Sequence, residues 1–293
     1  MSDSKSAEGR FDLGVCYLKG LGVEKNQEEA HKWFKSAAEL QGSDTDKIAW
    51  YRKSAELGDL ESRFKVDYEY YRDLFNNKRD SVEKDVAVEA FNWLLDAAAQ
   101  GRANAQNLLG CFYEVGWGCD KDIDKSFAMY LKSAENGYSF AQYNVGLAYD
   151  NGEGVAADKS KEFEWYMKAA AQGYVKAQFN VGWSYDKGEG VDEDRSKAFE
   201  WYMKAAAQGH VKAQFNVGCM YHNGDGVEED GSKAFEWYMK AAEQGYASAQ
   251  KMVGKYFENG WDCPKNVAKA KEWYQKAADK GNEDAKAALE RLG

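Results

Sequence analysis

The chain has 293 residues, with 39 Lys and Arg against 49 Asp and Glu and a formal net charge of −10. Both signs are spread along it, which argues against a nucleic-acid partner, because phosphate contacts need clustered Lys and Arg. No stretch approaches the apolar length that crosses a bilayer, so membrane insertion is not expected.

From the N-terminus, MSDSKSAEGRF carries no apolar run, and no secretory signal is read there. A first repeat is read over 6–42, opening with Leu13 and Gly14, then Tyr17, Gly20, Gly22 and Val23. Residues 43–58 look like the second helix of a pair without its first, with Trp50 and Tyr51 in the place of a Trp–Tyr pair that recurs downstream. Residues 59–101 make a longer unit of 43 residues, in which Asp67 replaces a mid-helix glycine and the GxGV turn is missing. An extended loop is expected around 76–84, while Phe64, Tyr68, Tyr71 and Phe75 mark one helical face. The stretch 43–101 reads either as a decayed pair of repeats or as a bend or docking site, and cheap loop insertion favours decay.

Residues 102–281 hold five regular 36-residue repeats, each closed by a glycine of the series Gly137, Gly173, Gly209, Gly245 and Gly281. Such a period signals a repeat architecture rather than a catalytic pocket. In 174–209, Ala177, Val181, Gly182 and Tyr185 form a one-faced helical stripe. Gly188 and Gly190 break it, and a second helix is expected from an N-cap near Ser196. That helix carries Phe199, Trp201, Tyr202, Ala205 and Ala206. Gly182 recurs as Gly110, Gly146, Gly218 and Gly254, although mid-helix glycine costs about 0.5–1 kcal/mol. Close helix approach under a bulky Trp or Tyr is the expected reason, since burying such a side chain returns about 1.5–3 kcal/mol. The ladder Trp165, Trp201, Trp237 and Trp273 is accordingly read as core. Residues 282–293 form a polar-faced helix that caps the stack. The lone proline, Pro264, leaves the helices uninterrupted. All of 1–293 is therefore read as one all-α stack of about seven αα hairpins and a cap.

The wording A-Q-x-N-x-G-x-x-Y-x-x-G-x-G-V followed by K-A-F-E-W-Y-x-K-A-A-x-x-G resembles the Sel-1-like repeat family, related to the tetratricopeptide repeat. The match is clearest in 141–173, 177–209 and 213–245. The resemblance implies a right-handed α-solenoid and a non-catalytic scaffold or adaptor. It would bind a peptide or protein domain on the concave face lined by the first helices. The alternative is a regulatory adaptor subunit of an enzyme complex in quality control or signalling.

On that face the candidates are Lys176, Asn180, Trp183 and Lys187, with Lys212, Asn216, Cys219 and Asn223 in the next repeat and Phe140, Asn144, Leu147 and Asn151 in the preceding one. The pairs Lys176–Asn180 and Lys212–Asn216 offer ammonium and amide donors to one peptide carboxylate. This is similar to the carboxylate-binding arrangement of some tetratricopeptide modules. In the alternative, Asn144, Asn180 and Asn216 bond to neighbouring backbone. Trp183 is the strongest single candidate, because aromatic anchors dominate peptide interfaces. Trp117 and Trp261 sit in turns, either plugging the adjacent hairpin or forming an apolar edge.

Catalysis finds little support. His31, His210 and His222 occupy unrelated repeat positions, and no GxSxG, HExxH or GxxxxGK motif is present. The five cysteines Cys16, Cys111, Cys119, Cys219 and Cys263 are odd in number and lack CxxC spacing, so no disulfide framework, metal site or cofactor is expected. Some cysteine-rich relatives are linked to β-lactam hydrolysis, but their paired-cysteine pattern is absent here. A monomer in a reducing, cytoplasmic compartment is expected.

Overall fold

The structure, a computed structural model, describes residues 5–41 and 44–293. The boundary read at 42–43 and the first four residues of the N-terminal segment lie outside the described residues. Among the described residues there are sixteen α-helices and no strand. They form two compact units, 1–94 with 117–119, and 95–116 with 120–293.

The first unit contains α1 (Ala7–Lys19), α2 (Gln27–Glu39), α3 (Asp44–Glu56) and α4 (Leu60–Lys78); α5 (Lys84–Ala99) straddles the division. Helix α3 packs between α2 and α4. Its Trp50 carries the Lys53 ammonium 4.4 Å above the ring, and its Tyr51 is buried. The loop expected around 76–84 is instead helix: α4 runs on to Lys78 and a 3-10 turn spans Arg79–Ser81. No glycine follows Phe75 to stop the helix, so it adds further turns. Phe75 thereby meets Trp117 edge-on at 5.6 Å, and Trp117 is buried, a plug rather than an exposed edge. His31 on α2 meets the Asp59 carboxylate at 3.0 Å, and Asp59 also caps α4 through the Ser62 N–H. Burial alone would raise the Asp59 carboxyl. The bonds from His31 and Ser62 outweigh it and hold the group below the usual carboxylate range.

The second unit stacks five hairpins: α6 (Ala103–Val115) with α7 (Ile123–Glu135), α8 (Ser139–Asn151) with α9 (Lys159–Ala171), α10 (Val175–Lys187) with α11 (Arg195–Ala207), α12 (Val211–Asn223) with α13 (Gly231–Glu243), and α14 (Ala247–Asn259) with α15 (Val267–Ala278). Helix α16 (Glu283–Leu292) lies on α15. Ser196 is not the N-cap of α11. Asp194 accepts the Lys197 N–H at 2.9 Å, and Asp122, Asp158 and Asp230 do the same for their helices. A carboxylate suits the positive helix end better than a hydroxyl.

Inside each hairpin the aromatic resting on the glycine is the tyrosine. A methyl group added at Gly182 would stand 2.6 Å from Tyr202 Cδ1, and Gly110, Gly218 and Gly254 are covered alike by Tyr130, Tyr238 and Tyr274. In the first hairpin Phe34 covers Gly14. Where Asp67 replaces the glycine, Leu94 replaces the aromatic, so the two positions change together. The tryptophans are half-buried rather than fully core. Trp201 packs on the cluster around Tyr166 in the preceding hairpin, and its outer face carries the Lys204 ammonium 3.5 Å from the ring centre.

Between hairpins the joint is polar. Gln178 Nε2 donates to the Ala170 carbonyl at the end of α9, and Gln208 Nε2 donates to Gln178 Oε1 at 2.8 Å. The same bonds recur at Gln142 with Gln172 and at Gln214 with Gln244. The second glycine of each GxG turn lies against the first turn of the preceding hairpin's second helix. A side chain at Gly190 would collide with the Lys159 carbonyl. At the turn of the last hairpin Asp262 stands in place of glycine with φ +48°, and the residue facing it is Gly231.

Two outcomes follow. Gly182→Ala should destabilise the protein by about 1–3 kcal/mol through overpacking against Tyr202. Pairing it with Tyr202→Leu should remove much of that cost in a double-mutant cycle read by urea denaturation; strict additivity would refute the contact. At the end of the Gln series Lys280 replaces the glutamine, donating to the Gly245 carbonyl and leaving Gln250 Oε1 buried without a partner. Lys280→Gln should therefore raise stability by about 1 kcal/mol, seen as a higher thermal midpoint.

Candidate functional site

The face made by the first helices of the second unit holds a groove of about 450 Å³, lined from α8, α9, α10 and α12. At one end, by the last turn of α8 and the first of α9, stand Asp150, Lys159, Glu162 and Glu189; at the other stand Asn180, Lys212 and Asn216, with Trp183 between them. Four of the residues singled out in the sequence thus line one cavity. Trp183 is 43% exposed, and the Lys187 ammonium lies 5.1 Å from its ring centre. Lys187 also pairs with Asp186 at 2.9 Å. Lys176 is exposed beside His210, whose ring lies tilted against Phe179 at 4.6 Å. Burial, with Lys212 and Lys176 adding, holds the His210 imidazole below its usual range, so it stays neutral and accepts the Ala213 N–H at the start of α12.

The remaining candidates lie elsewhere. Asn144 donates to Asn107 Oδ1 at 3.0 Å and lines a smaller cavity of about 160 Å³ with Asn151, Glu114 and Tyr130. Its partner is a side chain; the backbone bond expected of the asparagine is made instead by the glutamine of the same A-Q-x-N wording. Phe140 is exposed and packs on Tyr138 and Tyr174. Asn223 donates to Asp225 in the following turn, and Leu147 and Cys219 are half-buried on core clusters. Trp261 is 43% exposed, with the His222 ring 6.0 Å away. None of the five cysteines is in a disulfide, and burial pushes the Cys111 thiol up to about 11. Among the described residues no cluster of His, Cys, Asp and Glu is arranged to hold a metal ion. No helix there is long and apolar enough to cross a membrane.

Reasoning from the sequence missed the acidic end of the groove. The Lys159 ammonium donates to Asp150, lies 2.9 Å from Glu162 Oε2 and 4.0 Å from Glu189 Oε2. Glu162 is only 8% exposed, and its Oε2 pairs with the Lys159 ammonium that Asp150 and Glu189 also share. Burial pushes its carboxyl up, Lys159 opposes, and Asp150 and Glu189 add to the rise. The signal was visible: the other hairpins carry Ala30, Ala90, Ser126, Ala198, Ala234 and Ala270 at this position.

The tyrosine hydroxyls reach this same face. Tyr130 donates to Glu114 Oε2 at 2.6 Å and Tyr274 to Glu258 Oε2 at 2.7 Å. In the two hairpins between α8 and α11 the equivalent acid is Asp150 or Asp186, one methylene shorter and turned to Lys159 or Arg195. The Tyr166 and Tyr202 hydroxyls, both on rings 1% exposed, reach no carboxylate; the Asn180 and Asn216 side chains face them instead, without a well-directed hydrogen bond. Burial pushes both phenols far up, so they stay neutral donors.

The Sel1 repeat pattern matches residues 7–41, 48–59, 75–101, 103–138, 139–174, 175–210, 211–246 and 247–282. The chain belongs to the Sel1 repeat family. Among solved structures it is similar to a protective antigen of uropathogenic Escherichia coli displaying an SLR fold, at 31% identity and TM-score 0.72, covering 99% of this chain and 57% of that one. A Sel1 repeat protein from Oxalobacter formigenes matches at 31% identity and TM-score 0.66, over 76% of this chain and 86% of that one. Among curated proteins a chitin synthase regulator of Saccharomyces cerevisiae is 46% identical over 52 residues, 18% of this chain and 7% of that protein. The chain thus spans little more than half of the antigen and a small part of the regulator. Sel1 repeats here build an all-helical stack of helix pairs, as in the solved relatives.

Asp186→Glu should let the carboxylate reach the Tyr202 hydroxyl as Glu114 reaches Tyr130. A gain of about 0.5–1.5 kcal/mol in denaturant unfolding is expected; an unchanged or lowered stability would show that the shorter acid is not why Tyr202 lacks a well-directed bond.

Proposed function

We propose that the protein is a non-catalytic interaction scaffold whose first-helix groove binds an extended peptide segment of a partner protein. The single observation carrying this reading is the groove itself, in which an exposed Trp183 stands between an acidic end and the Lys212–Asn180–Asn216 donors. An aromatic wall with polar groups at both ends is the make-up of a peptide site, where buried aromatic contact supplies affinity and the polar ends fix register. Lys212 with the two amides suits a carboxylate of the peptide. The five cysteines, none of them in a disulfide, support a reducing compartment such as the cytoplasm, and we take the working form to be a monomer with no cofactor. A second reading, an adaptor subunit governing an enzyme, is favoured by the short likeness to a chitin synthase regulator.

Randomised peptide arrays probed with the full chain test the first reading. Trp183→Ala is expected to lower array binding at least about tenfold. The fold should be undisturbed, because Leu147, Cys219 and Lys255 occupy the same position in other repeats. Lys212→Ala should selectively weaken peptides with an acidic side chain or free C-terminus. Array binding that is absent, or indifferent to Trp183→Ala, would remove the groove as the peptide site.

A further inference from the structure

Glu162 is a carboxylate where the rest of the stack has alanine or serine. Enclosing an ion to this degree is costly unless opposite charge and directed hydrogen bonds compensate. Here the compensation is incomplete. Three carboxylates, Asp150, Glu162 and Glu189, share the single Lys159 ammonium, a local formal charge of −3 + 1 = −2. Lys159 reaches in from the rim with its side chain 47% exposed and divides its one charge among all three acids, with its ammonium 2.9 Å from Glu162 Oε2. In the next hairpin Arg195 serves Asp186 and Glu193, and Ala198 stands where Glu162 would be, so the surplus is confined to this place.

We infer that the acidic end of the groove is a pocket for an arginine side chain of the bound peptide, with Glu162 as its main acceptor. This deepens the peptide-groove reading and relies on it only for the chain that carries the arginine. A planar guanidinium presents five N–H donors in a fixed fork and can bridge Glu162 and a second carboxylate at once, which one ammonium point charge does not. Trp183 supplies an adjoining aromatic wall for such a cation. A metal ion is the poorer occupant, because no ligand cluster for one is present among the described residues. The opposite charge of Lys212 at the other end fixes the direction: the basic residue lies over α8 and α9, and the acidic or C-terminal group lies over α12.

The test uses the full-length protein, isotope-labelled for NMR, titrated with three probes: acetyl-Gly-Arg-Gly-amide, its citrulline counterpart and magnesium chloride. The arginine probe should shift the Trp183 indole N–H and the backbone amides of the first turn of α9. The neutral citrulline probe should not. Glu162→Ala should weaken the arginine probe at least about tenfold, with a thermal midpoint no lower than wild type because it copies Ala198. Equal response to citrulline, unchanged affinity in Glu162→Ala, a site answering to magnesium alone, or no response to arginine would each overturn the inference. Arginine binding without any array peptide would remove the peptide reading and leave this one. Array binding through Trp183 with no preference for arginine would do the reverse.

Discussion

The ring of one tyrosine lying on one glycine sets the geometry of nearly every hairpin. With no side chain at Gly182, the two helices close until the Tyr202 ring touches backbone, and burial of that ring outweighs the glycine's helical cost by about 1–2 kcal/mol. A contact this tight fixes more than separation. It aims each phenol hydroxyl from the core towards the first-helix face, beside the residue four positions before the second glycine of the turn. That residue is a Glu in two hairpins of the second unit, an Asp in two and His222 in one. The core thereby dictates which polar groups the groove must accommodate.

Stacking follows a different rule. An αα hairpin leaves the last carbonyls of its second helix without helical partners. The buried glutamine of the next hairpin takes one of them, and its own carbonyl oxygen accepts from the glutamine that ends the second helix of its own hairpin. Each bond contributes only about 1 kcal/mol, but an unpaired buried amide costs about 1–3 kcal/mol, so every interior hairpin depends on both neighbours. The unpaired Gln250 Oε1 beside Lys280 shows where that continuity is interrupted.

Much of this was legible because repetition averages out local noise. The period, the helix pairs, the mid-helix glycine and the glycine stops could be read directly from recurring letters. What escaped were properties of pairs of positions in different hairpins or far apart in one. Asp262 and Gly231 look like independent irregularities until the structure puts each across from the other. The tryptophans recur as faithfully as the tyrosines, yet their rings bridge to the preceding hairpin under a lysine cover, a role that periodicity alone does not separate from core. The expected loop near 76–84 failed for a simple reason: absence of a turn motif was read as a longer turn, whereas without a stop residue a helix continues.

The same distinction governs the site. A repeat presents identical side chains at every step, so on its own it defines a ladder and no preferred rung. Preference arises where a register position departs from its equivalents: Trp183 among Leu147, Cys219 and Lys255; Glu162 among alanines and a serine; Asp150 where Glu114 and Glu258 stand in other hairpins. These departures fall in adjacent hairpins and converge on one groove, although they are separated by tens of residues in the chain. Each is also poorly compensated by its own hairpin, as an exposed indole, an enclosed surplus carboxylate or a hydroxyl without a well-directed bond. Packing requirements explain the letters that recur and do not explain these. The stack can carry them because the glycine–tyrosine contacts and the glutamine bonds that hold it together lie elsewhere in each hairpin.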